Sequence, residues 1–143
     1  MVDADPAMRN FISGICENTG SFTVHTAESG EAALVWLFTN KADVIVSDFR
    51  MPHMTGIELL LALRKQNVKI PFIFFTDDDT LSLKNEAYRN DAYGLIIRKG
   101  TQKKPFLDLI RLMYWAAGYQ EQEKIMASPR KGAGSCKKLP ASE

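Results

Sequence analysis

The residues of this sequence best suited to chemistry follow its apolar runs. Asp3 and Asp5 come after the opening Met-Val, Asp48 ends the run from Val44, Thr76 ends Pro71-Phe-Ile-Phe-Phe, and Lys99 follows Leu95-Ile-Ile-Arg. Carboxylates completed by water suit Mg²⁺, a hard cation that takes oxygen ligands in an octahedron. A hydroxyl and an ammonium suit phosphoryl oxygens, whose transfer depends mainly on positioning and charge stabilisation. These groups act together only if the runs are neighbouring parallel strands, because ligands of open parallel sheets bind beyond the carboxyl ends. Other chemistries find little footing. There is no GxGxxG or GxxxxGK loop for a nucleotide. His25, His53, Cys16 and Cys136 match no metal or disulfide spacing.

The elements that would position these residues alternate. Met8, Phe11, Ile12 and Ile15 follow helical spacing behind Pro6, and Gly20-Ser21 ends that helix. Residues 22–27 are β-branched and roughly alternating, which predicts a strand. Further helices are predicted from Ser29-Gly30 to Asn40, from Gly56 to Gln66, from Leu81 to Asn90, and from Pro105 to about Met126. Between them lie strand-length apolar runs at 43–48, 71–76 and 95–97, of the kind buried on both faces of a parallel sheet. Helices alternating with such strands predict βα units and a sheet covered on both sides. Only Met1 and Val2 precede Asp3, so the first strand is expected to be short or clipped. The chain has 143 residues, enough for one domain, here assigned to 1–126. Residues 127–143 are polar and aperiodic, and read as a disordered tail or linker. Lys and Arg total 18 against 17 Asp and Glu, which gives no argument for direct nucleic-acid binding. No apolar run approaches the roughly 20 residues of a membrane span, so a soluble, cytoplasmic protein is expected.

Taken as a set, these features resemble the receiver domain of two-component response regulators. Asp48-Phe-Arg-Met-Pro-His-Met-Thr-Gly56 resembles the phosphoacceptor loop, Pro71 to Thr76 the strand ending in the switch hydroxyl, and Val2-Asp-Ala-Asp-Pro6 the acidic opening. The resemblance covers residues 2 to about 119. It implies a flavodoxin-like, doubly wound, five-stranded parallel sheet of order 2-1-3-4-5 with helices on both faces. It implies a signalling module rather than an enzyme, catalysing only its own phosphoryl transfer and dephosphorylation. Asp48 would take the phosphoryl group from a sensor histidine kinase, and a downstream protein would read the result. Asp3, Asp48 and the Arg50 carbonyl would hold Mg²⁺, with Asp5 a further candidate. Thr76 and Lys99 would bind phosphoryl oxygens. The register before Lys99 is open by one residue, leaving Arg98 as the alternative. Arg50 and Asp78, two residues beyond Asp48 and Thr76, would flank the path of the attacking water and form an ion pair across it.

The sequence departs from the receiver pattern at three places. Ala4 stands where a second, metal-ligating acid is usual. Gly100 follows Lys99 in place of proline. The aromatic of the fifth strand is replaced by Ile96 or Leu95. Ala4 keeps open a second reading, a pseudo-receiver that binds partners without phosphorylation. A remote third takes Asp3-Ala-Asp5 as the Asp-x-Asp of haloacid-dehalogenase-like phosphatases.

Overall fold

The computed structural model describes residues 1–20, 22–100 and 102–119. The elements run α1 (Pro6–Asn18), α2 (Gly30–Thr39), β1 (Ile45–Ser47), α3 (Gly56–Lys65), β2 (Phe72–Thr76), α4 (Leu81–Arg89), β3 (Gly94–Ile97) and α5 (Lys104–Tyr114). A π-helical turn, Trp115–Tyr119, continues α5. The remainder of the helix expected to reach Met126, and the 127–143 tail, lie outside the described residues.

Helices α1 to α4 each start where a side chain accepts an otherwise orphaned backbone N–H, whereas α5 starts at Lys103 with no side-chain cap and has Pro105 in its first turn. Asp5 caps α1 through the Ala7 amide at 3.0 Å, and Ser29 caps α2 through the Ala32 amide at 3.0 Å. At α3, Thr55 and Glu58 form a reciprocal capping box, with contacts of 2.8 and 3.2 Å. Thr80 caps α4 through the Leu83 amide. The acidic run Asp77-Asp78-Asp79 therefore lies in the loop before this cap, not in the first turn of the helix.

The three strands pair in parallel in the order β1-β2-β3, Ile73 meeting Gly94 and Ser47 meeting Phe74. All five residues of β2 are buried, as expected of a central strand with helices on both faces. Side-chain alternation divides the core into two. Phe72 and Phe74 pack with Ile57, Leu60 and Leu63 of α3 and with Leu83 of α4. Ile73 and Phe75 pack with Ile12 and Cys16 of α1 and with Leu109 of α5. Full burial of such side chains contributes about 1.5–3 kcal/mol each, so this two-sided strand anchors the domain.

The first two expected strands are reduced. Val2 bridges Ala27 on one side and Ser47 on the other, both in parallel, which gives the spatial order expected for a 2-1-3-4-5 sheet. Residues 22–26 form no ladder of their own, a correction to the predicted strand. Among the described residues the backbone bonds of this stretch and Ala27 are few and clustered at one end: Met1 N–H to the His25 carbonyl, Ala27 N–H to the Met1 carbonyl, and Asp3 N–H to the Ala27 carbonyl. A groove of about 930 Å³ lies beside Met1, lined by Ile12, Phe22, Val24, Trp36 and Val44. It lies at the amino ends of the strands, away from the residues singled out for chemistry.

Gly56 fixes the loop after β1. Its N–H donates to the Phe49 carbonyl at 2.8 Å, and a Cβ there would collide with the Asp48 carbonyl and come within 2.8 Å of the Phe74 ring. Neither the backbone nor the buried ring can yield cheaply. Gly56→Ala is therefore expected to lower stability by about 1–3 kcal/mol, read as a shifted urea midpoint at unchanged slope. An unchanged midpoint would show that the loop absorbs the methyl group.

Candidate functional site

The carboxyl ends of the strands gather the polar groups expected there, with one exchange. Asp3 follows the bridging Val2, Asp48 follows β1, Thr76 ends β2, and Arg98 follows β3. Asp3 is 1% exposed and Asp48 9%. Asp3 Oδ1 accepts the Asp5 amide at 2.9 Å, while its buried Oδ2 has no hydrogen-bond partner. Burial raises the Asp3 pKa, and the hydrogen bond from the Asp5 amide opposes that shift. Asp48 Oδ1 accepts the Phe49 amide at 2.7 Å.

The cation at this site is Arg98. Its Nη2 lies 3.9 Å from Oδ2 of Asp3 and 3.9 Å from Oδ2 of Asp48. Nη1 donates to the Phe75 carbonyl at 2.7 Å, and the guanidinium carbon lies 5.2 Å from the centre of the Phe75 ring. Lys99 does not reach the carboxylates. Its ammonium is exposed and pairs with Asp79 at 2.5 Å, so of the two cations that the open register allowed, Arg98 is the one beside the carboxylates. The physical reason is strand parity. Gly94, Ile96 and Arg98 alternate toward the face that holds Phe75, and a shift of one residue sends the side chain to the other face. Fixing the start of the strand at Gly94 would have resolved this register from the sequence.

Thr76 is fully buried, and its hydroxyl oxygen accepts the Asp78 amide at 3.2 Å, leaving its proton for another acceptor. Its carbonyl accepts the Arg98 amide at 2.9 Å. The expected ion pair is present: Arg50 Nη2 and Nε lie 2.9 and 3.1 Å from Asp78 Oδ2. Asp78 Oδ1 also accepts the Thr80 amide at 3.1 Å. The Thr80 amide, with help from Arg50, holds the Asp78 pKa below the usual carboxylate range. Asp5 is exposed, and its side chain is committed to the α1 cap, so it does not join the carboxylate pair. Leu95 and Ile96, in place of an aromatic, pack against opposite halves of the core.

The donor set fits a hard cation. Asp3 Oδ2 is buried without a hydrogen bond, and Mg²⁺ needs only one or two carboxylates with water completing its shell. Among the described residues no three His, Cys, Asp or Glu side chains are grouped so that they could hold a metal ion together, and Ala4 supplies no side-chain oxygen. A model of the response regulator receiver domain matches residues 1–111. The chain belongs to this family.

The receiver is 30% identical over 132 residues to the DNA-binding transcriptional regulator NtrC of Klebsiella pneumoniae, covering 90% of this chain and 27% of that protein. It is 36% identical over 88 residues to the heme response regulator HssR of Staphylococcus saprophyticus, covering 62% of this chain and 38% of that one. Over 77 residues it is 42% identical to a protein-glutamate methylesterase/protein-glutamine glutaminase of Treponema denticola, covering 53% of this chain and 21% of the relative. The matches thus span 21–38% of these longer proteins. Among solved structures, the receiver domain of Francisella response regulator 1452 matches with a TM-score of 0.69 at 30% identity, covering 79% of this chain and 92% of that one. The chemotaxis response regulator CheY4 of Vibrio cholerae matches with a TM-score of 0.67 at 30% identity, covering 78% and 93%. The flavodoxin-like architecture expected from the sequence is therefore that of the protein. Among the described residues no helix is long and apolar enough to cross a membrane.

The depressed Asp78 pKa has a definite sign. The native state binds its proton less readily than the unfolded chain, so ionised Asp78 stabilises the fold above the ordinary carboxylate range. That contribution disappears as pH falls through the native pKa. Carboxyl-resolved NMR titration should place Asp78 below a free aspartate. Arg50→Ala should return it only partway, because the Thr80 amide is the larger cause. Complete return to the free value would assign the whole shift to Arg50.

Proposed function

We propose that this receiver is a phosphoacceptor module that takes a phosphoryl group from a histidine kinase onto Asp48 and signals through protein contacts. The observation that carries this reading is the joining of Asp48 and Asp3, through one Arg98 nitrogen, at the ends of adjacent strands. An Asp48 oxygen attacks phosphorus, the P–N bond of the donor phosphohistidine breaks as the P–O bond forms, and the imidazole leaves. Asp3, Asp48 and the Arg50 carbonyl would hold Mg²⁺, which would supply charge neutralisation at the phosphoryl oxygens. Thr76 donates its hydroxyl proton to one of these oxygens, and Arg98 faces another with its fixed charge. Lys99, turned to Asp79, takes no part. Its exposed pair belongs to a class worth about 0–1 kcal/mol.

The Arg50–Asp78 pair ties the loop after β1 to the loop after β2, and we assign it the gating of hydrolysis. Water must approach the acyl phosphate in line with the bond to Asp48. A linked pair between the two loops obstructs that approach, giving a slowly decaying signal rather than a rapid phosphate sink. Ala4 favours a second reading, constitutive binding without phosphorylation, because one metal oxygen of the usual set is missing.

Incubation with acetyl phosphate and Mg²⁺, read by intact mass, separates these readings. Wild type should gain one phosphoryl group, Asp48→Asn none, and Lys99→Ala as much as wild type. Absence of labelling in wild type would favour the constitutive reading, and full labelling of Asp48→Asn would move the acceptor elsewhere.

Decay of the labelled protein tests the gate. Removing about 1.4 kcal/mol from the barrier speeds a reaction tenfold, so Arg50→Ala and Asp78→Ala should lose label up to about tenfold faster than wild type. Equal decay in all three proteins would reject the gate while leaving Asp48 as acceptor.

A further inference from the structure

We propose that the groove beside Met1 is a docking slot for the extended, apolar C-terminus of another protein, which enters as a parallel strand between residues 22–26 and β1. The slot lies apart from the carboxylate edge, and the proposal is independent of the phosphoacceptor reading.

The bonds made by the first residues define the slot. Val2 donates its N–H to the Val46 carbonyl and accepts the Asp48 N–H, while Met1 donates to the His25 carbonyl and accepts the Ala27 N–H. The N–H and C=O of one strand residue point to the same side, and successive residues alternate. Ile45 and Ser47 therefore face β2, and Val46 faces the groove. The same alternation, carried backward, aims four backbone groups into it: the Val46 N–H and Val44 carbonyl from one wall, the His25 N–H and Thr23 carbonyl from the other. None of the four has a hydrogen-bond partner among the described residues. Val46 is 3% exposed, so its N–H carries the cost of an unmade bond. Val2 bridges both walls in parallel, so they stand apart by the width of one strand. A strand parallel to both fits that space and satisfies the open groups. Its last residue would pair with Val46 and Val44, and the residue before it with His25 and Thr23. Both of its faces must be apolar, because Ala33 and Leu37 line the slot from α2 and Ile12 and Cys16 from α1. A strand in this direction ends at the Met1 ammonium, which lines the groove and makes no ion pair among the described residues. Burial lowers the pKa of this group to about 6. A terminal carboxylate supplies the missing negative charge at that point, and an internal segment does not.

NMR titration of the intact, isotope-labelled chain at mildly acid pH tests this, with the peptide acetyl-Lys-Lys-Val-Ile-Val-Ile bearing a free carboxylate as probe. Saturable binding below about 1 mM is expected, with the Val46 and His25 amide protons moving downfield and gaining protection from exchange. The same peptide ending in an amide should bind about three- to tenfold more weakly. A probe with proline as its penultimate residue loses the N–H meant for Thr23 and should weaken by a similar factor. H25P removes a donor from one wall and should also weaken binding, whereas H25A keeps that donor and should bind like wild type. If H25P does not fold, the Val46 amide of the wild-type chain carries the test. No saturation at millimolar probe, equal binding of acid and amide, or shifts that leave Val46 and His25 untouched would overturn the proposal. So would protection of both amides before any probe is added, because the groove would then be filled by this chain or by a second copy.

Discussion

Placing two carboxylates side by side at the ends of buried strands is expensive, and much of this edge answers that expense. Removing an ionised group from water costs several kcal/mol unless charge and hydrogen bonds replace the lost hydration. Asp3 has only one backbone donor and an unpaired second oxygen, so its environment is the least compensated at the site. Arg98 answers with a charge, but at a distance that stops short of full pairing. The helices and central strand supply the rigidity that makes this tension possible. The Phe72–Phe75 run cannot shift to relieve it without opening both halves of the core.

Most of the helices and buried strands were legible because their signals are local. Caps such as Ser29 and Thr80 act within three residues, and the apolar runs at 45–47 and 72–76 have no other stable use than two-sided burial. What the sequence left unresolved was set by partners rather than by local preference. Residues 22–26 have the composition of a strand, yet a strand needs a partner along its whole backbone, and among the described residues theirs is bonded to Met1 alone, with Ala27 bonded to Met1 and Asp3. A cap also decided Asp5, since its position before Pro6 suits a helix start as well as an acidic site.

Within the site, the positions of Asp48 and Asp3 at the ends of apolar runs were readable in the sequence and the Arg50–Asp78 pair followed from the resemblance to receivers, whereas the choice between Arg98 and Lys99 stayed open. Two adjacent cations at a strand end are equivalent in composition and opposite in direction. Parity along β3 decides between them, and the shortness of the run made its start uncertain. The diverted Lys99 also gave a partner to Asp79, which in the sequence was only one of three like acids.

The loop before α4 is thereby stitched in two directions by consecutive residues, Asp78 to Arg50 and Asp79 to Lys99. Both cations are largely exposed, so these stitches lie where dissolved salt can reach them. The screening length shrinks from about 8 Å at physiological ionic strength to about 3 Å at 1 M. Rising salt would loosen the loops around Asp48 while strengthening, if anything, the burial of the phenylalanine strand beneath them. The molecule thus joins a salt-insensitive frame to a rim whose ion pairs weaken or tighten with the ionic strength around it.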